Sequence, residues 1–197
     1  MSAWNDDQLF SSAVNEGDTT KDEWGTPPEL FEPLHQEFQF EVDVAASGYN
    51  WMVPSYFGLD NGRDALMLDW PLFGTSFWGN PPYSLASEFL KQGSRFASEN
   101  LGLTIVFLVF ARTDTEWWWR YVLGRNPKTR ERIPGVFCAT EIRWHPGRIR
   151  FLDPKTSSPR RSEKTGQIQA APAPSVLVIF RPDPLGESRE WPENGVF

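Results

Sequence analysis

A chain of 197 residues with 40% hydrophobic and 15% aromatic content has room for one folded domain with a real core, which excludes an intrinsically disordered protein. No apolar run approaches the roughly 18 residues that span a bilayer, and the start MSAWNDDQLF lacks the basic end and apolar stretch of a signal peptide. The formal net charge of −7 excludes a uniformly basic surface, so a nucleic-acid partner would have to meet a local basic face.

Residues 1–22 are polar and acidic without an apolar period and read as a flexible arm. A helix is expected from Thr26, with Thr as cap, prolines in the first turn, Glu29, and Leu30, Phe31 and Leu34 on one face. The alternating Phe38-Gln39-Phe40-Glu41-Val42-Asp43-Val44 predicts a strand ending in Ala45-Ala46-Ser47-Gly48. Between Tyr49 and Trp70 the pattern is broken by Pro54, Gly58 and Asn61-Gly62. A short strand over Thr75–Gly79 then runs into Asn80-Pro81-Pro82-Tyr83, and Ser84 caps an amphipathic helix to Ala97.

Leu103 to Phe110 is the apolar run of a strand covered on both faces. Thr115 to Leu123 reads as a helix carrying Trp117-Trp118-Trp119, of which one or two face the core. Val136 to Trp144 reads as a strand, and Pro146-Gly147 turns the chain into Arg148–Leu152. The polar stretch 153–169 reads as a mobile loop, Ser175–Phe180 as a last buried strand, and residues 182–197 as an acidic tail. Strands interleaved with helices predict an α/β domain over residues 23–181, three layers around a mostly parallel sheet. Ligands of such sheets lie beyond the carboxyl ends of the strands, where Asp43, Asn80 and Ala111 emerge. Cys138 can close no internal disulfide, which fits a cytoplasmic setting. His35 and His145 have no metal-ligand spacing, so no metal is expected.

The chemistry concentrates in Trp78-Gly79-Asn80-Pro81-Pro82-Tyr83. Two prolines hold the backbone extended and cannot donate, so their carbonyls are turned into a cleft. The Asn80 amide oxygen and the Pro81 carbonyl can accept the two hydrogens of a planar amine. Such an amine is a poor nucleophile while its lone pair is delocalised, and hydrogen bonding favours a more tetrahedral nitrogen that can attack a methyl donor. Tyr83 offers a flat ring on which a planar substrate can stack.

These residues belong to a longer series. Asp22-Glu23-Trp24-Gly25-Thr26-Pro27-Pro28-Glu29-Leu30-Phe31 and Phe40-Glu41-Val42-Asp43-Val44-Ala45-Ala46 come first. Pro54-Ser55-Tyr56-Phe57, Asp64-Ala65-Leu66, Asp69-Trp70 and Ala111-Arg112-Thr113-Asp114-Thr115 follow. Glu141-Ile142-Arg143, Gly147-Arg148-Ile149-Arg150-Phe151 and Ala173-Pro174-Ser175-Val176-Leu177-Val178-Ile179-Phe180 complete it. In this order, from about Asp22 to Phe180, the sequence resembles the phage-type Dam-like DNA N6-adenine methyltransferases. The resemblance implies a Rossmann-like class I methyltransferase fold, a three-layer sandwich with an antiparallel last strand. It also implies S-adenosylmethionine as cofactor and double-stranded DNA as partner, in the cytoplasm of a host if the gene is a phage's, with a role in DNA modification or restriction-modification.

By that resemblance Asn80, Pro81, Pro82 and Tyr83 are catalytic, and Trp24, Thr26, Pro27, Asp43, Ala45, Asp64 and Asp69 are candidates for the cofactor. A carboxylate suits a ligand that carries an ammonium and a sulfonium. One departure is the turn after the first strand, where Asp43 to Gly48 holds a single glycine and Ala must allow the close backbone approach.

The acidic total hides a segregation: residues 110–170 hold 13 Lys/Arg against 6 Asp/Glu. DNA is therefore expected at Arg112, Arg125, Lys128, Arg130, Arg148, Arg150, Arg160, Arg161 and Lys164, on loops 124–134 and 153–169, with phosphate contacts dominant. Arg112 could instead pair with Asp114. Two alternatives stand beside adenine. Cytosine N4, RNA guanine N2 and a protein glutamine also present planar nitrogen, and a catalytically retired scaffold could bind DNA or block host defence without turnover.

Overall fold

The computed structural model describes residues 24–100, 102–153, 155–162 and 164–182. The arm expected at 1–22 and the tail beyond Pro182 lie outside the described residues. The elements run α1 (Pro28–Phe38), β1 (Val42–Asp43), β2 (Ser76–Gly79), α2 (Ala86–Glu99), β3 (Thr104–Phe110), β4 (Glu141–Trp144) and β5 (Ser175–Phe180). A π-helical turn over Trp118–Val122 follows β3. The five strands form one sheet in the order β1-β2-β3-β5-β4. β1, β2 and β3 are parallel, and β5 runs against both β3 and β4. The sheet is thus mostly parallel with an antiparallel last strand, as expected.

Alternation along the central strand divides the core in two. Ile105, Phe107 and Val109 of β3 join Phe77 of β2, Val176, Val178 and Phe180 of β5, and Phe89, Leu90 and Phe96 of α2. Val106 and Leu108 turn the other way, toward Trp78, Leu177, Ile179 and the α1 residues Phe31 and Leu34. Burial on both faces is why β3 and β5 read as unbroken apolar runs. Close approach of α2 to the sheet depends on Gly93, where a Cβ would lie 2.5 Å from Cε2 of Phe107.

Several elements differ from the sequence pattern. The first helix starts at Pro28 after Pro27, and Thr26 makes no capping bond. Prolines suit a first turn whose N–H groups have no intrahelical partner, so a side-chain cap is dispensable. Helix α1 extends to Phe38 and stops where Gln39 adopts φ 49°, which leaves a strand of two residues where seven were expected. The extended stretch is nevertheless tied to β2 at both ends, by Glu41 N–H to Ser76 O at 2.8 Å and Val44 N–H to Trp78 O at 2.7 Å. Helix α2 begins at Ala86, after a 3₁₀ turn over Tyr83–Leu85, with Leu85 in place of Ser84 at its N-cap.

The expected helix over 115–123 is mostly π-helical, with Leu123 N–H reaching Trp118 O at 3.1 Å. Its wider turn brings both Trp118 and Val122 into the core. Strand β4 starts only at Glu141, because Phe137 and Ala139 are held by Ser94 and Val122 before the chain joins the sheet. No helix of the described residues is long and apolar enough to cross a membrane.

Candidate active site

Register places the carboxyl ends of β1, β2 and β3 along one edge. Asp43 stands opposite Trp78, Gly79 opposite Phe107, and Phe110 opposite the first residue of β5. Ala111 continues that edge through its N–H to Pro174 O at 2.9 Å. The chain therefore delivers Asp43, Asn80 and Ala111 to a common rim.

At this rim the Asn80 side chain donates Nδ2–H to the backbone carbonyl of Trp24 at 3.0 Å. A carbonyl can only accept, so the amide orientation is fixed by chemistry. Its Oδ1 has no hydrogen-bond partner among the described residues and remains an acceptor. Pro81 is buried, and Pro82 and Tyr83 are half-buried. One face of the Tyr83 ring lies on Phe110, with centroids 3.7 Å apart and planes 16° from parallel. Trp24 meets Tyr83 at 5.1 Å and 88°.

Trp24 is the hub of this region. Its ring also contacts Phe151 at 5.0 Å and Phe110 at 6.3 Å, and the guanidinium of Arg160 sits 5.1 Å above it. The next residue, Gly25, exchanges both backbone hydrogen bonds with Leu152 at 2.9 Å. A Cβ there would lie 3.2 Å from Leu152 Cβ, so glycine permits the pairing. Thr26 and Pro27, which follow, are buried. Trp24, Phe110 and Phe151 form a wall that the Asn-Pro-Pro-Tyr signal alone does not reveal. Phe151 is visible in the sequence only within the series Gly147-Arg148-Ile149-Arg150-Phe151, with no role attached to it.

The Asp43 carboxylate is 2% exposed. It accepts from Ala45 N–H at 3.1 Å and from Met52 N–H at 3.0 Å, closing the loop after β1. Burial pushes its pKa up to about 7, against the opposing pull of those two backbone donors. On the outer side of β1 the chain returns as a one-residue parallel bridge at Tyr56. Gly58 then packs so closely that a Cβ would lie 2.6 Å from Ala46 O. The glycine needed for close approach thus comes from the facing segment. Asp60, which the sequence reading passed over, binds Gly48 N–H at 2.8 Å and the Tyr56 hydroxyl at 3.1 Å. Its signal was hidden because the strand before it amounts to a single bridge. Asp64 accepts from Leu66 N–H within its own turn, and Asp69 is exposed ahead of the Trp70–Leu72 turn. No hydrogen bond joins either carboxylate to the Asp43 loop among the described residues.

The cations fall into two groups. Arg112 pairs with Asp114 at 3.1 Å, which holds the Asp114 carboxyl below its usual range. In the 124–134 turn, Arg125 binds the Arg130 carbonyl and Arg130 lies 3.7 Å over the Trp119 ring, leaving Lys128 exposed at the tip. The segment from Arg148 onward is built differently. Ile149 and Phe151 are buried while Arg148 and Arg150 between them are exposed. In the stretch expected as a mobile loop over 153–169, the described residues are laced by Arg160 N–H to Phe151 O at 3.0 Å and Gln169 N–H to Arg160 O at 2.7 Å. Arg161 closes the outer turn on Gly166 O at 2.9 Å, beside exposed Lys164. Through Leu152 and Gly25 this basic ribbon is bonded to the segment that holds Asn80.

The sequence model of the DNA N-6-adenine-methyltransferase (Dam) family matches residues 13–188. The chain belongs to the Dam family. A search of the curated proteins finds no match to it. Membership supports methyltransferase activity on DNA. Among the described residues, no group of three or more His, Cys, Asp or Glu gathers to hold a metal ion.

Proposed function

We propose that this Dam-family protein transfers a methyl group from S-adenosylmethionine to N6 of a flipped adenine in double-stranded DNA, on a Rossmann-like class I three-layer scaffold. The observation that carries this reading is the orientation of Asn80. Its nitrogen is held by Trp24 O, so its oxygen is left to accept an amine hydrogen at the rim where the β1 loop ends. The cofactor, when bound, supplies an electrophilic methyl on a sulfonium.

The residues present suit that cofactor. Asp43 shapes the loop after β1 by closing it on the Ala45 and Met52 N–H groups, the Asp60 carboxylate lies against Gly48 of that loop, and exposed Tyr49 and Trp51 offer flat apolar faces beside it. Trp24, Thr26, Pro27 and Ala45 near the rim are the other proposed cofactor residues, with Asp64 and Asp69 as candidates farther along the chain. Asn80 Oδ1 and the Pro81 carbonyl orient the amine, and the Tyr83 ring, backed by Phe110, stacks on the base. Alignment and exclusion of water carry the catalysis. A flipped base costs a few kcal/mol, which contacts to the distorted duplex must offset. Arg148, Arg150, Arg160, Arg161 and Lys164 on the ribbon supply phosphate contacts, with Lys128, Arg125, Arg130 and Arg112 as outer neighbours.

The test is methyl transfer from labelled S-adenosylmethionine to unmethylated duplex DNA, followed by nucleoside analysis. Labelled N6-methyladenine is expected, and Asn80→Ala is expected to remove turnover while cofactor affinity holds. Label in another nucleoside would move the reading to a different planar amine. Cofactor binding without any product would favour a scaffold that has lost its chemistry.

A further inference from the structure

Trp24 O lies at hydrogen-bond distance from the Asn80 amide nitrogen and is not free to move. The reciprocal bonds between Gly25 and Leu152 fix the backbone on one side. The indole is wedged among Tyr83, Phe110 and Phe151 on the other. A fixed acceptor beside position 80 imposes a requirement on the side chain there. That side chain must present a donor toward Trp24 and an acceptor toward the substrate, and an amide has one of each. An ionised carboxylate has two acceptors, so one of its oxygens would face the carbonyl oxygen at about the same 3.0 Å with no proton between them.

We infer that the Trp24 carbonyl is the positioning group that makes an amide obligatory at position 80, anchoring its nitrogen and thereby aiming its oxygen at the substrate. The inference deepens the functional reading given above and rests on it for the substrate's side of the contact. The Trp24 side is a property of the folded chain and is measurable without any reaction. Because Trp24 also carries Arg160 over its ring and follows the ribbon through Gly25, the same anchor links Asn80 to the basic ribbon.

Asn80→Asp is nearly isosteric and isolates the donor. Its carboxyl regains a donor only when protonated, so its pKa in the folded chain is raised above the ordinary value of about 3.9. A raised folded pKa gives stability that is present in acid and lost as pH rises through that pKa. Wild type, Asn80→Asp and Asn80→Ser are melted across about pH 4 to 9 without cofactor or DNA, the serine serving as a change that does not titrate. The melting deficit of Asn80→Asp against wild type is expected to shrink in acid and widen with pH, while that of Asn80→Ser stays level. If the aspartate variant unfolds at neutral pH, refolding on acidification carries the same meaning.

In the methylation assay, kcat of Asn80→Asp relative to wild type is expected to fall about tenfold per pH unit above that pKa, with KM for DNA little changed. In wild type, one Asn80 side-chain amide proton is expected to exchange with solvent more slowly than the other. A pH-independent deficit for Asn80→Asp, or equal exchange of the two amide protons, overturns the inference. Absence of any methylated adenine from wild type overturns the functional reading instead, and the melting and exchange results still decide the Trp24 contact.

Discussion

Asp43 stores a pH dependence that can be read from stability alone. Its carboxyl is buried, with two backbone N–H donors and no cation among its hydrogen-bond and ion-pair partners in the described residues. Its pKa rises from an ordinary value of about 3.9 to about 7 in the fold. At about 1.4 kcal/mol per pKa unit, ionising it in the folded chain costs about 4 kcal/mol more than in the unfolded one. Because the folded pKa is the higher, the folded state holds the proton longer. Stability is therefore greatest below about pH 4 for this group and is lost as pH rises toward and through about 7. Between about pH 5 and pH 8 the loss amounts to about 3 kcal/mol. Asn at this position removes the titration but turns an NH₂ toward one of the two backbone N–H groups, at a pH-independent cost of about 1–3 kcal/mol. Urea unfolding of wild type and Asp43→Asn at several pH values isolates the group, since other titrations cancel in the difference. The variant is expected to be the weaker protein at pH 5 and to close the gap or overtake wild type at pH 8. A difference that stays constant over that range would refute the reasoning.

Other consequences follow from packing and charge. Gly93→Ala gains about 1 kcal/mol of helix propensity but sets a Cβ 2.5 Å from a ring carbon of fully buried Phe107. The net result is expected to be a loss of about 1–2 kcal/mol, and an unchanged or higher urea midpoint would contradict it. Reversing Arg148 and Arg150 to Glu is expected to weaken duplex binding and reduce the slope of log affinity against log salt by about 2, one for each phosphate contact. The matching double reversal of Arg125 and Lys128 is expected to change that slope less, because Arg125 is held by the Arg130 carbonyl at 3.0 Å whereas Arg148 reaches the Ala171 carbonyl only at 3.4 Å and Arg150 is exposed. Equal effects at the two loops would remove the ribbon from the proposed interface.

Legibility in the sequence followed the strength of local patterns. β5 appears at its expected residues Ser175–Phe180, and β3 begins one residue inside the apolar run, because burial on both faces leaves no ambiguity of period. The Phe38–Val44 strand was overextended because its apolar alternation is shared between the end of α1 and the extended approach to β1. A helix end set by Gln39 in the left-handed region has no strong residue signal. The rim was legible through Asn80 to Tyr83, but the group that orients Asn80 is a backbone carbonyl 56 residues away in sequence. No side-chain pattern can announce such a partner. Asp43 was visible as a carboxylate at a strand end. Its burial, and its use of both oxygens to close the loop, emerge only once Met52 is brought back beside it.

Under the proposed reading, the ribbon after β4 ties recognition to chemistry. Its inner residues Ile149 and Phe151 are part of the core, so its outer Arg148 and Arg150 are carried on a floor that folding already holds in place. Its edge at Leu152 pairs with Gly25, and the residue before Gly25 orients Asn80. The arginines and the amide at the rim are thus joined by two backbone hydrogen bonds and one aromatic cluster. The basic surface and the acceptor share a wall. Disrupting Gly25 pairing should therefore depress turnover more than binding, since the cations remain on the ribbon while the anchor of Asn80 is displaced. Gly25→Ala, whose Cβ would meet Leu152 Cβ at 3.2 Å, is the graded way to do so. A fall in DNA affinity with kcat unchanged would show that the ribbon and the amide act independently.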